Sequence, residues 1–135
     1  MEKVFVTVGM TENNYSAHVV VGDGIAVATG KTFEELKAQM KEALDFHLES
    51  MREDREEIPA EFKAGYELVY RFDTESLLQH YNGIFTNAAL ERLTGINQRQ
   101  LQRYASGISK PREEQARKIE SALHNLGKEL LAVEL

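Results

Sequence analysis

Four side chains that can hydrogen-bond to the edges of nucleic-acid bases lie close together in one short segment of the chain: Gln98, Arg99, Gln102 and Arg103. On an α-helix, their spacing of i, i+1, i+4 and i+5 directs them to the same side. Leu101 and Ala105 share another face, which Ile108 can help to anchor on neighbouring helices. Arginine can bond bidentately to guanine and glutamine to adenine, each pair contributing about 1–3 kcal/mol of discrimination. The segment therefore predicts a helix that reads bases in the DNA major groove, with Tyr104 able to pack beneath it or rest against a phosphate.

The residues before this segment predict another helix. Thr86 can cap a helix over 87–94, and Gly95 can end that helix in the left-handed conformation. We expect its core-facing residues to be Ala89, Leu90 and Leu93.

The polar helix has its own start and stop signals. Asn97 can cap a helix over 98–106, and Gly107 follows as its end. Two helices joined by a three-residue turn that contains glycine indicate a DNA-binding helix-turn-helix. Contacts to DNA phosphates are then expected from a helix N-terminus and from polar residues after the polar helix: Thr86, Asn87, Ser106, Lys110 and Arg112.

The remaining sequence of 74–135 is also helical by pattern. Asp73 or Thr74 can cap a short helix over 76–81, and Pro111 suits the first turn of a final helix. The final helix has an apolar stripe: Ala116, Ile119, Leu123 and Leu126. Apolar residues at its C-terminal end predict a contact between two copies of the chain: Leu130, Leu131, Val133 and Leu135. A dimer suits a helix-turn-helix protein, which commonly reads two half-sites about 34 Å apart.

Residues 1–73 have the pattern of a small sheet covered by one helix. Runs of β-branched and aromatic residues predict strands over 3–8, 15–21, 25–29 and 66–72. Thr32 with Glu35 three residues later is a capping-box pattern that predicts a helix start. Its apolar stripe would cover one sheet face: Phe33, Leu36, Met40, Ala43, Leu44, Leu48 and Met51. The predicted fold class is α+β, with a βββαβ module (1–73) followed by an all-α module (74–135).

The charge of the chain differs sharply between its two parts. The formal net charge is −6, yet residues 1–75 hold 8 Lys/Arg against 16 Asp/Glu, a net charge of −8. Residues 76–135 hold 8 against 6, a net charge of +2, and 97–118 hold 6 against 2, a net charge of +4. This asymmetry indicates two modules with different partners.

Composition narrows the class of protein further. With 28% charged residues and no apolar run near the roughly 18–20 residues that span a bilayer, the chain does not have the pattern of a membrane protein. The first ten residues, MEKVFVTVGM, are too mixed for a signal peptide. Because there is no cysteine, the chain has no disulfides, thiolate ligands or cysteine nucleophile. We expect a cytoplasmic protein.

The helical module resembles the λ-repressor/Cro-like helix-turn-helix family. The residues that carry the resemblance span 77–126: Ala89-Leu90, Gly95-Ile96, Leu101, Ser106-Gly107 and Lys110-Pro111. The resemblance implies a repressor domain that binds double-stranded operator DNA.

The first module is similar to the N-terminal domain of HicB-type antitoxins, a small βββαβ sheet with a partial ribonuclease-H-like fold. The resemblance lies in residues 15–49 (YSAHVVVGDGIAVATGKTFEELKAQMKEALDFHLE) and in the start of the helix, where the matching residues are Gly30, Lys31, Thr32, Glu34 and Glu35. Two departures are present. The usual Pro-Asp-x-x-Gly-Cys turn is replaced by residues 22–26, and Leu36 stands where alanine is common.

Together the two resemblances imply an antitoxin with two activities. The acidic module would bind and mask a small, basic, mRNA-cleaving HicA-like toxin, and the helical module would repress the protein's own operon. Exposed acidic residues are the expected toxin contacts: Glu34, Glu35, Asp45 and Glu49. Negative surface for a basic protein and positive surface for DNA fit the division of charge. A dimer or higher homo-oligomer is expected.

Other functions are less well supported by the residues. A metal-dependent nuclease needs several converging carboxylates, but Glu35 is better explained by capping and Asp73 by its place before a helix. The four histidines are scattered, so we expect neither catalytic residues nor a bound metal or cofactor. The main alternative is a stand-alone helix-turn-helix transcription regulator whose small N-terminal domain senses a ligand or mediates assembly. A third possibility is an interaction domain whose helical half only dimerises.

Overall fold

The computed structural model describes all 135 residues, which form two compact units, Met1–Asp73 and Thr74–Leu135. The chain is α+β, with one four-stranded mixed sheet in the first unit and helices in both. The first unit contains five main elements and a short 3₁₀ turn at Ala60–Phe62: β1 (Glu2–Met10), β2 (Tyr15–Val21), β3 (Gly24–Gly30), α1 (Phe33–Glu53) and β4 (Tyr66–Phe72). The predicted βββαβ order is confirmed, although β1 and β3 each extend beyond the ends expected from the sequence.

The sheet has the strand order β3-β2-β1-β4. β1 pairs antiparallel with β2 and parallel with β4, and β2 pairs antiparallel with β3. The chain returns from β3 to β4 through α1, which covers one face of the sheet. β3 and β4 are the two edge strands.

The core of the first unit lies between α1 and the covered sheet face. Alternate residues of β1 are buried there, and the apolar stripe of α1 packs against them; the fully or almost fully buried members are Val6, Val8, Val19, Val21, Leu36, Met40 and Leu44. Side chains of a strand return to the same face every two residues and those of a helix every 3.6, so both elements direct their apolar residues to one shared layer. Phe33 and Ala43, predicted for the same stripe, are partly buried.

The start of α1 uses the predicted cap in a modified form. The hydroxyl Oγ1 of Thr32 accepts a hydrogen bond from the backbone N–H of Glu35 at 3.1 Å. The Glu35 carboxylate in turn accepts from the backbone N–H of Lys31 at 3.4 Å, one residue before the cap. Both side chains therefore satisfy donors at the helix N-terminus.

The second unit contains four helices: α2 (Thr74–His80), α3 (Asn87–Thr94), α4 (Gln98–Ala105) and α5 (Glu113–Leu131). Each of them contributes to one small core, in which the buried residues are Leu78, Leu90, Ile96, Leu101, Tyr104 and Ile119. From the predicted stripe of α5, Ile119 is buried whereas Ala116, Leu123 and Leu126 are half-buried.

Three sequence predictions about the second unit are wrong. Leu93 is 39% exposed and Ile108 is 66% exposed, so neither belongs to the core. Leu93 lies in the last turn of α3 and stays outside the core cluster, and Ile108 lies in the turns after α4. Pro111 precedes α5 instead of standing in its first turn, because Arg112 has the extended backbone of an N-cap residue and Glu113 and Glu114 form the first turn. Acidic residues are favourable there because the helix dipole is positive at that end.

No helix of the chain is both long enough and apolar enough to cross a membrane.

Candidate nucleic-acid interface

α3 is held at both ends by the residues that the sequence indicates. Oγ1 of Thr86 accepts from the backbone N–H of Ala89 at 3.0 Å, and Gly95 ends the helix in the left-handed conformation with φ +77°. The hydroxyl of Thr94 donates to the carbonyl of Leu90 at 2.7 Å and accepts from the N–H of Ile96 at 3.0 Å. These bonds fix the path of the turn and direct Ile96 into the core.

The N-terminus of α4 is capped from two directions. Asn97 accepts the backbone N–H of Arg99 at 2.8 Å, as its predicted cap role requires. Glu91 of α3 accepts the backbone N–H of Gln98 at 2.9 Å. A carboxylate at a helix N-terminus is also favoured by the helix dipole. The second bond ties α3 directly to α4 and fixes the angle between them.

α4 is strongly two-sided. Leu101 is fully buried and Tyr104 is 5% exposed, whereas the four predicted base-reading residues are all exposed: Gln98, Arg99, Gln102 and Arg103. Ala105 is half-buried and packs against the core. Tyr104 is thus one of the two residues that anchor the helix, which decides between its two predicted roles in favour of packing.

Asn87 contacts one of these exposed residues. Its side-chain Nδ2 donates to Oε1 of Gln102 at 2.9 Å, joining the first residue of α3 to the middle of α4. Gln100, between the exposed and buried faces, donates from Nε2 to the hydroxyl of Ser109 at 3.1 Å. The side chains of α4 are therefore oriented from both sides.

The predicted phosphate-contacting residues lie at two places around α4. Thr86 and Asn87 are at the N-terminus of α3, where both already make hydrogen bonds within the unit. Ser106 follows α4 and donates its hydroxyl to the carbonyl of Arg103 at 3.2 Å. Lys110 and Arg112 are exposed and form no salt bridge, so their charges are available to solvent.

The C-terminal end of α4 is closely packed against α2. Nε2 of Gln79 donates to the carbonyl of Ala105 at 2.6 Å, satisfying one of the last carbonyls of α4. Gly107 has φ +79°, and a Cβ at this position would collide with the carboxylate of Glu75. Glycine is favoured here for its backbone conformation, since the exposed Glu75 side chain can move aside but the positive φ remains.

The predicted toxin-contacting residues lie on the exposed side of α1. Glu34 forms a salt bridge with Lys37 at 2.9 Å, Glu49 forms one with Arg52 at 3.4 Å, and Glu35 is a helix cap. Asp45 is the one member of the set without such a bond. Burial raises the pKa of Tyr66, and the negative charge of Asp45 raises it further. Three of the four carboxylates are thus partly used within the unit.

The predicted oligomerisation residues are exposed at the end of the chain. α5 continues through Leu130 and Leu131, which are 61% and 88% exposed, and Val133 and Leu135 follow at 59% and 119%. They do not fold back on the core of the second unit.

Nowhere in the chain do three or more histidine, aspartate or glutamate side chains converge in a way that could hold a metal ion.

Sequence reasoning missed two contributors to this region, Glu91 and Gln79. Neither stands at a cap position of its own helix, so local pattern gives no signal for it. Both act across helices, Glu91 on the N-terminus of α4 and Gln79 on its C-terminus. The role of Asn87 in orienting Gln102 was likewise not predicted.

Comparison with protein-family models, with curated proteins and with solved structures found no match.

Replacing Gly107 by alanine should lower the free energy of unfolding by about 1–3 kcal/mol, because alanine is strained at positive φ. Gly127 is the matched control, since it lies within α5 with open space around it. Gly127→Ala should raise the free energy of unfolding by about 0.5–1 kcal/mol. Urea unfolding followed by circular dichroism measures both, and a stabilising Gly107→Ala would contradict the left-handed backbone described at the end of α4.

Proposed function

We propose that Thr74–Leu135 is a helix-turn-helix domain that binds double-stranded operator DNA, with α4 in the major groove. The observation that carries the proposal is the division of α4 into two faces: Leu101 and Tyr104 are buried, while two arginines and two glutamines point to solvent. A recognition helix requires this division, since one face must be anchored and the other must offer donors and acceptors to bases.

The charges around α4 support the same proposal. The exposed cations Arg99, Arg103, Lys110 and Arg112 form no salt bridge within the chain. Arg117 of α5, by contrast, is paired with Glu113 at 2.6 Å. Exposed, unpaired cations suit the phosphate backbone, whose neutralisation supplies much of the affinity of DNA-binding proteins.

We further propose that the whole chain is an antitoxin of the HicA/HicB type. Met1–Asp73 would bind and neutralise a small, basic, mRNA-cleaving toxin while the second unit represses the operon. The mixed sheet covered by one helix is compatible with the partial ribonuclease-H-like fold of this antitoxin class. The negative charge of residues 1–75 supports a basic partner.

The DNA-binding proposal is tested by a gel shift with the protein's own promoter. Arg99→Ala should lower specific binding by about 1–3 kcal/mol and relax the preference at one base pair. Lys110→Ala should weaken binding to all sequences similarly and reduce the dependence on salt concentration. Arg117→Ala is the control, because it removes the same charge from an arginine already paired within α5.

Wild-type affinity of both the Arg99 and Lys110 variants for every promoter fragment would mean that α4 is only solvated surface.

The apolar end of the chain should hold two DNA-binding domains together. Deleting residues 128–135 removes the four exposed apolar residues and should lower both self-association and operator affinity. Sedimentation velocity gives the first quantity and the gel shift gives the second. A truncated chain that sediments like the wild type would show that the end of the chain is not a contact between copies.

The antitoxin proposal is tested with the small basic protein encoded beside this chain's gene. The two should co-purify, and Asp45→Lys should weaken the complex more than Glu34→Lys, because Glu34 is already paired with Lys37. Absence of such a gene, or failure of its product to co-purify, would favour a stand-alone regulator. DNA binding by the second unit would be unaffected by that outcome.

A further inference from the structure

The two edges of the sheet differ in their protection against pairing with another strand. Edge strands in soluble proteins usually carry charges, proline or a bulge that prevents such pairing. β4 has Glu67 and Arg71, whereas β3 has the sequence GIAVATG, with no charge and no proline along seven residues. Its outward side chains Ile25 and Val27 are 55% and 60% exposed. β3 therefore has the properties of a strand that another strand covers.

The free backbone N–H and C=O groups of β3 are oriented to pair with a further strand. The hairpin between β2 and β3 closes at Val21 and Gly24 over a two-residue turn. In such a hairpin the closing pair exchanges hydrogen bonds and the pairs then alternate. It follows that the N–H and C=O groups of Ile25, Val27 and Thr29 point away from β2. They make no hydrogen bond to another part of the chain.

The sequence of β3 is almost the same in both directions about its central residue. Val27 is flanked by Ala26 and Ala28, then by the β-branched Ile25 and Thr29, then by two glycines. An antiparallel strand of the same sequence, centred on Val27, would thus find a matching residue at every position. Contacts of this kind, in which residue i meets j and j meets i, are those of a two-fold dimer.

We propose that β3 pairs antiparallel with β3 of a second copy of this chain, centred on Val27, to give a continuous eight-stranded sheet. The outward-facing N–H and C=O groups of Ile25, Val27 and Thr29 would form three hydrogen-bonded pairs. Val27 would pair with the partner's Val27, Ile25 with the partner's Thr29, and Thr29 with the partner's Ile25. The two residues of each such pair exchange two backbone hydrogen bonds. The alanines would meet alanines on the face that α1 covers, where small residues avoid crowding.

Charge complementarity favours a second copy over another occupant. In the register centred on Val27, Asp23, in the turn before β3, would come to the same end of the strand pair as the partner's Lys31, which follows β3. Both residues are exposed, and neither forms a salt bridge within its own chain. The two-fold axis therefore brings opposite charges together at both ends of the strand pair.

An exposed aromatic residue of α1 stands next to the residue that covers the beginning of β3. Phe46 is 75% exposed. Its neighbour His47 lies over the beginning of β3, where a Cβ built on Gly24 would be 3.3 Å from the His47 ring. Phe46 is about 100° from His47 around the helix and lies on the exposed side of α1. In the paired sheet, α1 of the partner would lie on the same sheet face, beyond the β3 edge.

The proposal concerns the first unit and depends neither on DNA binding nor on the apolar end of the chain. It adds a second contact between copies to the one expected at the apolar end of the chain.

The decisive experiment measures amide hydrogen exchange of Ile25 and Thr29 by NMR in the full-length chain at several protein concentrations. These two amides should be protected, and increasingly so as the concentration rises, because pairing buries them. Val27→Lys places two like charges opposite each other at the two-fold axis. It should remove the protection and raise the dissociation constant of this contact at least about tenfold. Val27→Thr keeps a β-branched residue and should retain both.

Val20→Lys is the matched control, because Val20 is also 60% exposed on the same sheet face but belongs to the internal strand β2. It should leave protection and dissociation constant unchanged. The charge pairs are tested separately: Asp23→Lys and Lys31→Asp should each weaken the contact, and the double variant should restore it. Circular dichroism confirms that each variant is folded.

Three results would overturn the proposal. Free exchange of Ile25 and Thr29 at the highest concentration would mean that β3 remains an open edge. Equal loss of association in Val20→Lys and Val27→Lys would indicate sheets stacked face to face. Protection that arises only when a different protein is added would make β3 a docking strand for that partner.

Discussion

The burial of Leu101 and Tyr104 is the constraint on which the second unit depends. These two side chains, three positions apart on α4, determine how the helix is rotated about its own axis. The core formed by α2, α3 and α5 accepts them, and every other position of α4 is directed by that choice. The exposed arginines and glutamines owe their common direction to this anchoring, not to any contact among themselves. The bonds from Glu91 and Gln79 then hold the two ends of the helix.

In the first unit, too, burial of one set of apolar residues determines which side chains are exposed, here by the alternation of strand residues. Alternate residues of β1 and β2 face the apolar stripe of α1, and the acidic residues of α1 are left on its exposed side. Negative charge therefore accumulates on the helix, away from the core. The chain thus separates acidic and basic surfaces between two independently packed cores, which the overall charge of −6 does not reveal.

Much of this organisation could be predicted from the sequence because it is local. The cap residues Thr32, Thr86 and Asn97, the left-handed Gly95 and the α1 stripe all depend on residues within one or two helical turns. What could not be predicted depends on neighbours distant in sequence. Leu93 and Ile108 are apolar and lie in or beside helices, yet both stay exposed because the small core is formed by residues from other positions. The bond from Glu91 to Gln98 needs the angle between two helices, which no local pattern contains.

The hydrogen bond from Asn87 to Gln102 lets a residue of α3 orient an exposed side chain of α4. Because Nδ2 of Asn87 occupies one lone pair of Oε1, the amide of Gln102 is held with its nitrogen directed away from α3. An amide nitrogen only donates, whereas the oxygen only accepts. Whether Gln102 exposes a hydrogen-bond donor or an acceptor is therefore determined by a residue on another helix. If α4 reads bases as we propose, a change at position 87 would alter the sequence preference while every residue of α4 stays the same.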